Sequence, residues 1–355
     1  MRIAQIMAGA AEGGAELFYE RLCVALHAAG ESVLPVIRRD EARARKLRAA
    51  GLAPLELGFG PPVDLLTRPR LRRALKYFAP RVAVFWMNRA NQHRPPGPWI
   101  SVGRLGGYYD LRHYRGCDHL VGNTNGIVSW LRENGWPAAR THYLPNFVDD
   151  FSGTTPADRA ALDIPQGHRL ILALGRLHTD KGFDTLLGAL PRVARATLAI
   201  AGSGPEHARL RALAERLGIA ERVRFLGWRN DPGALLKACD LFVSSSRVEP
   251  LGNMVIEAWS ACRPVVAVAA AGPRELIRDG DDGRIVVMED PAALGAAITA
   301  TLDDPGRAGM LARAGRARFE SEFSAGPVLA RWRAFFAGIG ATRQAGGRDP
   351  GGNDQ

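Results

Sequence analysis

This chain reads as an α/β protein made of two parallel-sheet domains, and three observations support that reading. Short apolar runs of strand length alternate with amphipathic stretches of helix length, the pattern of βαβ units. The 355 residues suffice for two domains of ordinary size, each with its own core. Between two such series lies Leu144-Pro145-Asn146-Phe147-Val148-Asp149-Asp150, a breaker among turn formers, and a new strand–helix series starts near Arg169.

In the first half, apolar runs predict strands over 3–7, 32–36, 82–85, 99–102, 119–121 and 142–144, with helices between several of them. The opening run Met1-Arg2-Ile3-Ala4-Gln5-Ile6-Met7 is too short for a signal peptide and reads as the first strand. Gly9, Gly13 and Gly14 follow it and open a helix, so backbone N–H groups there can face a phosphate. Their spacing is not the G-x-G-x-x-G of a dinucleotide site. In the second half, strands are expected over 170–174, 197–201, 223–225, 241–244 and 265–268, alternating with helices, and over 285–287 after a turn. A last helix is expected over about 327–337. Residues 341–355 lack apolar anchors and read as a disordered tail. The division is therefore a first domain over 1–148, a second over 149–325, a C-terminal helix within 326–340 and a tail over 341–355.

Composition narrows the class. Hydrophobic residues at 46% and charged residues at 23% are those of a globular protein, and no stretch has the length of a membrane-spanning helix. Cys23, Cys117, Cys239 and Cys262 show neither C-x-x-C spacing nor a disulfide framework, which points to a reducing cytoplasm. The formal net charge of +11 concentrates in one helical segment, where Arg68, Arg70, Arg72, Arg73, Lys76 and Arg81 accompany Leu71, Leu75, Tyr77 and Phe78. Such a face suits an anionic membrane surface at the cytoplasmic side; a merely solvated helix is the alternative. Nucleic acid is a poor partner, because no zinc-finger, RRM or KH signature accompanies the charge.

The most informative pair is Glu249 and Glu257. Leu241 to Ser244 reads as a buried strand, Pro250 and Gly252 break it, and Asn253 onward reads as a helix through Ala261. Glu249 then lies in a strand-to-helix loop. The first helical turn offers backbone N–H groups at Asn253 and Met254 to a diphosphate, with Leu251 and Gly252 leading into it. Glu257, one turn deeper, can accept from two ribose hydroxyls, and Glu249 can hold hydroxyls of a sugar. A pair of surface or capping glutamates is the alternative. Upstream, Arg176 and Lys181 follow the strand over 170–174 and emerge at the carboxyl edge of a sheet, where α/β proteins bind ligands. Lysine occurs only at Lys46, Lys76, Lys181 and Lys237, which makes Lys181 the more pointed of the two.

In order along the chain, Gly13-Gly14-Ala15-Glu16, Gly175-Arg176 with Lys181-Gly182, Ala201-Gly202-Ser203-Gly204-Pro205, Phe225-Leu226-Gly227 and Glu249-Pro250-Leu251-Gly252 through Glu257 resemble the retaining glycosyltransferases of family 4. The resemblance covers most of the chain. It implies the GT-B fold, two Rossmann-like domains facing each other across a cleft, with the C-terminal helix returning to the first domain. It also implies a retaining hexosyltransferase. A sugar passes from a UDP or GDP donor to a hydroxyl of a cell-envelope glycan or glycolipid such as lipopolysaccharide, with no bound cofactor or metal. The second domain then holds the donor: Arg176 and Lys181 on the diphosphate, Leu251, Gly252 and Asn253 on sugar or phosphate, Glu249 on the sugar, Glu257 on ribose, and Gly227 with Trp228 at the nucleobase. Gly13 and Gly14 let their loop approach donor phosphates or acceptor. Family members commonly carry a His-Gly step after a central first-domain strand. Here that region, 102–113, has its histidine late, so Arg104, Asp110 and His113 stand as acceptor or base candidates.

Rival readings use the same residues. A nucleotide-sugar epimerase or a phosphorylase of this architecture shares the phosphate logic, and Glu249 acting as a nucleophile is a further possibility for the chemistry. A non-enzymatic basic membrane-binding module would rest on the arginines instead. Asp279-Gly280-Asp281-Asp282-Gly283 superficially suits a divalent cation but reads as a glycine-bracketed turn.

Overall fold

The structure is a computed structural model that describes residues 1–10, 13–60 and 64–345. It divides into two compact units, Met1–Asn146 with the segment from Ala325, and Phe147–Ser324.

The first unit contains β1 (Arg2–Met7), α1 (Gly14–Ala28), β2 (Ser32–Arg38), α2 (Glu41–Ala49), β3 (Leu55–Leu57), α3 (Thr67–Phe78), β4 (Val82–Trp86), α4 (Met87–Gln92), β5 (Ile100–Leu105), β6 (His119–Gly122), α5 (Asn125–Glu133) and β7 (Thr141–Tyr143). The strands form one parallel sheet in the order β3-β2-β1-β4-β5-β6-β7. Helices cover both faces, which is why β1, β4 and β5 are buried along nearly their whole length rather than on alternate residues. Register aligns Met7 with Trp86 and Trp86 with Arg104, so the carboxyl ends of the three central strands lie level. Asp40 and Thr124 cap α2 and α5 by accepting from the backbone N–H groups of Arg43 and Ile127. The short edge strand β3 has no counterpart in the sequence expectation. Three residues are too few to show a period, and pairing with β2 makes them a strand.

The second unit contains β8 (Arg169–Leu174), α6 (Phe183–Ala189), β9 (Ala196–Ala201), α7 (His207–Arg216), β10 (Val223–Gly227), α8 (Pro232–Ala238), β11 (Leu241–Ser244), α9 (Asn253–Ser260), β12 (Val265–Val268), α10 (Ala271–Leu276), β13 (Arg284–Val286), α11 (Pro291–Asp303) and α12 (Pro305–Arg318). Its parallel sheet runs β10-β9-β8-β11-β12-β13, so the order reverses between β8 and β11. Two apolar layers sandwich it, one around Trp259, Phe242 and Phe319, the other around Phe183, Leu187 and Ile298. Each fully buried Leu or Phe in such a layer contributes roughly 1.5–3 kcal/mol. Trp259 pins α9: its indole N–H donates to the Asp282 carbonyl at 2.9 Å, and a Cβ on Gly315 of α12 would lie 2.2 Å from its ring.

The final helix, α13 (Ala325–Ala345), is longer than the expected 327–337. It packs within the first unit, burying Trp332 and Phe336, with Arg333 donating to Glu31 at 3.1 Å and Arg81 to the Gly340 carbonyl at 2.6 Å. The helix takes in 341–345 of the segment read as a disordered tail. The rest, 346–355, lies outside the described residues.

Candidate active site

A doubly wound sheet binds ligands at its carboxyl edge where the strand order reverses. In the second unit that point lies between β8 and β11, and the loops leaving those two strands carry Arg176, Lys181 and Glu249. The first loop turns sharply. Gly175 has φ 152° and Gly182 φ 58°, and a Cβ on Gly182 would lie 2.1 Å from the Ser245 carbonyl oxygen, so only glycine lets the loops touch. Leu177 is buried beneath the loop, while Arg176 is exposed and has no ion pair among the described residues.

The second loop runs from Ser245 to Gly252, which has φ 90° and starts α9. Here Lys181 Nζ meets Glu249 Oε2 at 2.6 Å, a contact between residues 68 apart in sequence, with both side chains about one-fifth exposed. The other Glu249 oxygen accepts from Gly252 N–H at 3.2 Å, which turns the carboxylate toward the helix start. Gly272 approaches the same loop so closely that a Cβ would lie 2.4 Å from Leu251. Glu257 lies one turn into α9 and is buried. Among the sequence candidates, Arg176, Lys181, Glu249, Leu251, Gly252, Asn253 and Glu257 therefore lie on two adjacent loops and the helix that follows the second. Trp228 stands exposed after β10, its indole N–H donating to Asn230, and Gly227 accepts from Gly202 N–H at 2.7 Å.

The first-unit candidates have different surroundings. Gly13 and Gly14 open α1, and a Cβ on Gly9 or Gly13 would each lie 2.2 Å from a Glu16 carboxylate oxygen, so these glycines make room for Glu16, which accepts from Ala10 N–H. Arg104 is fully buried, its guanidinium 4.7 Å from the Trp86 ring centroid and 5.4 Å from that of Phe18, and it donates to Asn146. Burial lowers its pKa to about 10. Its Nε and Nη1 have no hydrogen-bond partner among the described residues. Asp110 turns away to a two-pronged contact with Arg112, whose hydrogen bonds lower its pKa to about 2, and His113 faces Gln92. The region thus splits into one buried cation and two surface groups.

The acidic turn serves its own loop. Asp282 accepts from Arg278 N–H and Arg318, and Asp279 from Ile285 N–H. Among the described residues no group of three His, Cys, Asp or Glu side chains is placed to hold a metal ion. A cavity of about 500 Å³ is lined by residues 161–163, α7 and β10, and none of the candidate residues lines it. The residue that sequence reasoning passed over is Arg247. It lies in the bent loop after β11, where no periodicity marks it, and its contacts with Asp184 and the Thr179 carbonyl are made by residues more than 60 positions earlier.

Residues 154–318 match the family Glycosyl transferases group 1. The lipopolysaccharide core biosynthesis glycosyltransferases LpsE and LpsD of Rhizobium meliloti are each 33% identical to this chain, over 88% of it and 92% of their own length. The chain belongs to the group 1 glycosyltransferases; it is an enzyme of glycosyl transfer with the GT-B fold. The crystal structure of Anabaena HepE in complex with UDP shares that fold, with a TM-score of 0.83 at 21% identity over 95% of this chain and all of that one. No described helix is long and apolar enough to cross a membrane.

Proposed function

We propose that this enzyme moves a hexose from a nucleoside diphosphate sugar, with retention, to a hydroxyl of a lipopolysaccharide-type glycan. The observation that carries the reading is the Lys181–Glu249 contact at the strand-order reversal, beside the start of α9. A diphosphate lying there meets Lys181, the free guanidinium of Arg176 and the first-turn N–H groups of Asn253 and Met254. Glu249, released from Lys181, takes sugar hydroxyls; Glu257 takes ribose; Gly227 and Trp228 border the nucleobase. The bond from the anomeric carbon to the diphosphate breaks, the acceptor oxygen bonds that carbon on the same face, and its proton passes to the departing phosphate oxygen. Well-placed cationic donors contribute about 3–4 kcal/mol to such a step. In this reading the protein's own cations neutralise the leaving group, the second unit serves as donor domain and the first, through Gly13, Gly14 and the Arg104 region, as acceptor domain. The names of LpsE and LpsD support the class of acceptor.

Thermal unfolding in the presence of UDP- and GDP-sugars tests the donor assignment. A ligand at about 100 times its dissociation constant adds about 2.7 kcal/mol, a clear rise in Tm. No rise with any of them overturns the reading.

The cytoplasmic membrane surface is the place of work we assign. On α3, Arg68, Arg70, Arg72, Arg73 and Lys76 are exposed and make no ion pair among the described residues, while Leu71 and Leu75 face the core. Leu65 just before this helix and Tyr77 in its last turn are 78% and 92% exposed. Unpaired cations beside exposed apolar side chains fit an anionic lipid surface, at about 1 kcal/mol per charge. Affinity for phosphatidylcholine–phosphatidylglycerol vesicles, read by co-sedimentation, should fall about a hundredfold in Arg70→Gln/Arg72→Gln/Arg73→Gln, roughly the effect of three lost charges. Equal sedimentation of the variant, or binding to phosphatidylcholine alone, contradicts it.

A further inference from the structure

The loop that carries Lys181 is held to the loop that carries Glu249 by more than their own contact. Arg247 N–H and Val248 N–H both donate to the Asp180 carbonyl, at 2.7 and 3.2 Å, and Ser245 Oγ donates to the Lys181 carbonyl at 2.9 Å. Backbone contacts of this kind fix direction but leave the loop free to slide. The side chain of Arg247 removes that freedom. Its Nη1 donates to the Thr179 carbonyl at 2.9 Å and to Asp184 Oδ1 at 2.8 Å, its Nη2 to Asp184 Oδ2 at 3.1 Å and Thr185 Oγ1 at 3.3 Å, and its Nε to Glu289 at 2.8 Å. One planar fork therefore grips the chain on both sides of Lys181, two residues before it and three after. Lysine has the charge but not the geometry. Arg209, 3.3 Å from Asp184 Oδ2 and paired with Glu206, makes no contact with the Thr179 carbonyl and cannot replace that one.

The same contacts have an electrostatic side. Asp184 lies in the first turn of α6, close to where an anionic leaving group would sit, and Arg247 answers its charge. Without Arg247, Lys181 would sit on a looser loop beside a less screened carboxylate. Both changes weaken its grip on a terminal phosphate, and neither concerns the nucleoside.

We propose that Arg247 is a positioning residue for the donor diphosphate: it touches neither donor nor acceptor, and sets where Lys181 stands relative to Glu249. This rests on the reading that Lys181 meets the diphosphate.

Calorimetric titration with UDP and UMP, or GDP and GMP if the wild type prefers them, separates the possibilities well below the unfolding temperature. In Arg247→Ala the diphosphate should bind about tenfold more weakly, a charge-assisted contact's worth, while the monophosphate stays within about twofold. Arg247→Lys should recover only part of the loss. Because Arg247→Lys keeps the charge beside Asp184 and loses only the planar fork, it decides the matter if Arg247→Ala does not fold. Unchanged diphosphate affinity, or equal loss for both nucleotides, overturns the proposal. If Lys181→Ala binds the diphosphate as the wild type does, or the wild type binds neither, the donor reading falls and this inference with it.

Discussion

The carboxyl edges of the two sheets handle positive charge in opposite ways. In the second unit, Lys181 and Arg176 are partly or fully exposed, and Lys181 is matched by Glu249 across two loops. In the first, Arg104 is sealed between Trp86 and Phe18 with one neutral acceptor, Asn146. A partly exposed pair on two loops contributes modestly to stability, about 1 kcal/mol, and can exchange its partner for a ligand. A buried cation packed on aromatic faces is part of the core, and its removal is felt by the fold. The contrast teaches that arginine at the same edge of the same architecture is exposed in one unit, at Arg176, and packed away in the other, at Arg104, decided by what surrounds it.

Three experiments sharpen or break this contrast. The largest effect is expected for Lys181→Ala, which should lower kcat/KM by about 10²–10³-fold with Tm nearly unchanged. A variant that loses stability but keeps turnover would erase the distinction. Next, Arg104→Lys should cost about 2–3 kcal/mol in urea unfolding, because a lysine cannot lie flat on Trp86 while donating to Asn146. Wild-type stability in that variant would show that the aromatic cage does not hold the charge. The smallest effect concerns His142, half-buried under the Phe335 ring at 4.7 Å with His119 Nδ1 at 3.1 Å from its Nε2. Burial, with the charges of His119 and Arg132, lowers its pKa from 6.5 to about 4. The unfolded chain then binds the proton that the folded one refuses. Stability is complete above about pH 6.5 and falls by about 1–2 kcal/mol as the pH drops toward 4, discounted for exposure. His142→Gln should flatten that part of the Tm–pH curve; an unaltered slope would place the acid sensitivity elsewhere.

Much of this was legible along the chain. Runs such as 170–174 and 241–244 are apolar because both sheet faces are covered, and the structure has strands there. Glycines at 175, 182 and 252 marked the turns beside Glu249 and Lys181, since their backbone angles exclude side chains. Other features had no local signal. Strand β3 exists only through its pairing with β2, and α13 continues to Ala345 through a stretch poor in apolar residues. Arg104 carries no mark of burial, because arginine is ordinarily exposed and nothing nearby in sequence announces the Trp86 ring, 18 positions earlier and next to it in register.

Local pattern was sufficient for the alternation of strands and helices and for the glycine turns beside Lys181 and Glu249, because periodicity and glycine act over a few residues. The meeting of Lys181 with Glu249, the grip of Arg247 on both flanks of Lys181 and the aromatic enclosure of Arg104 were settled by strand order and register, because contacts between distant segments depend on which strands lie side by side.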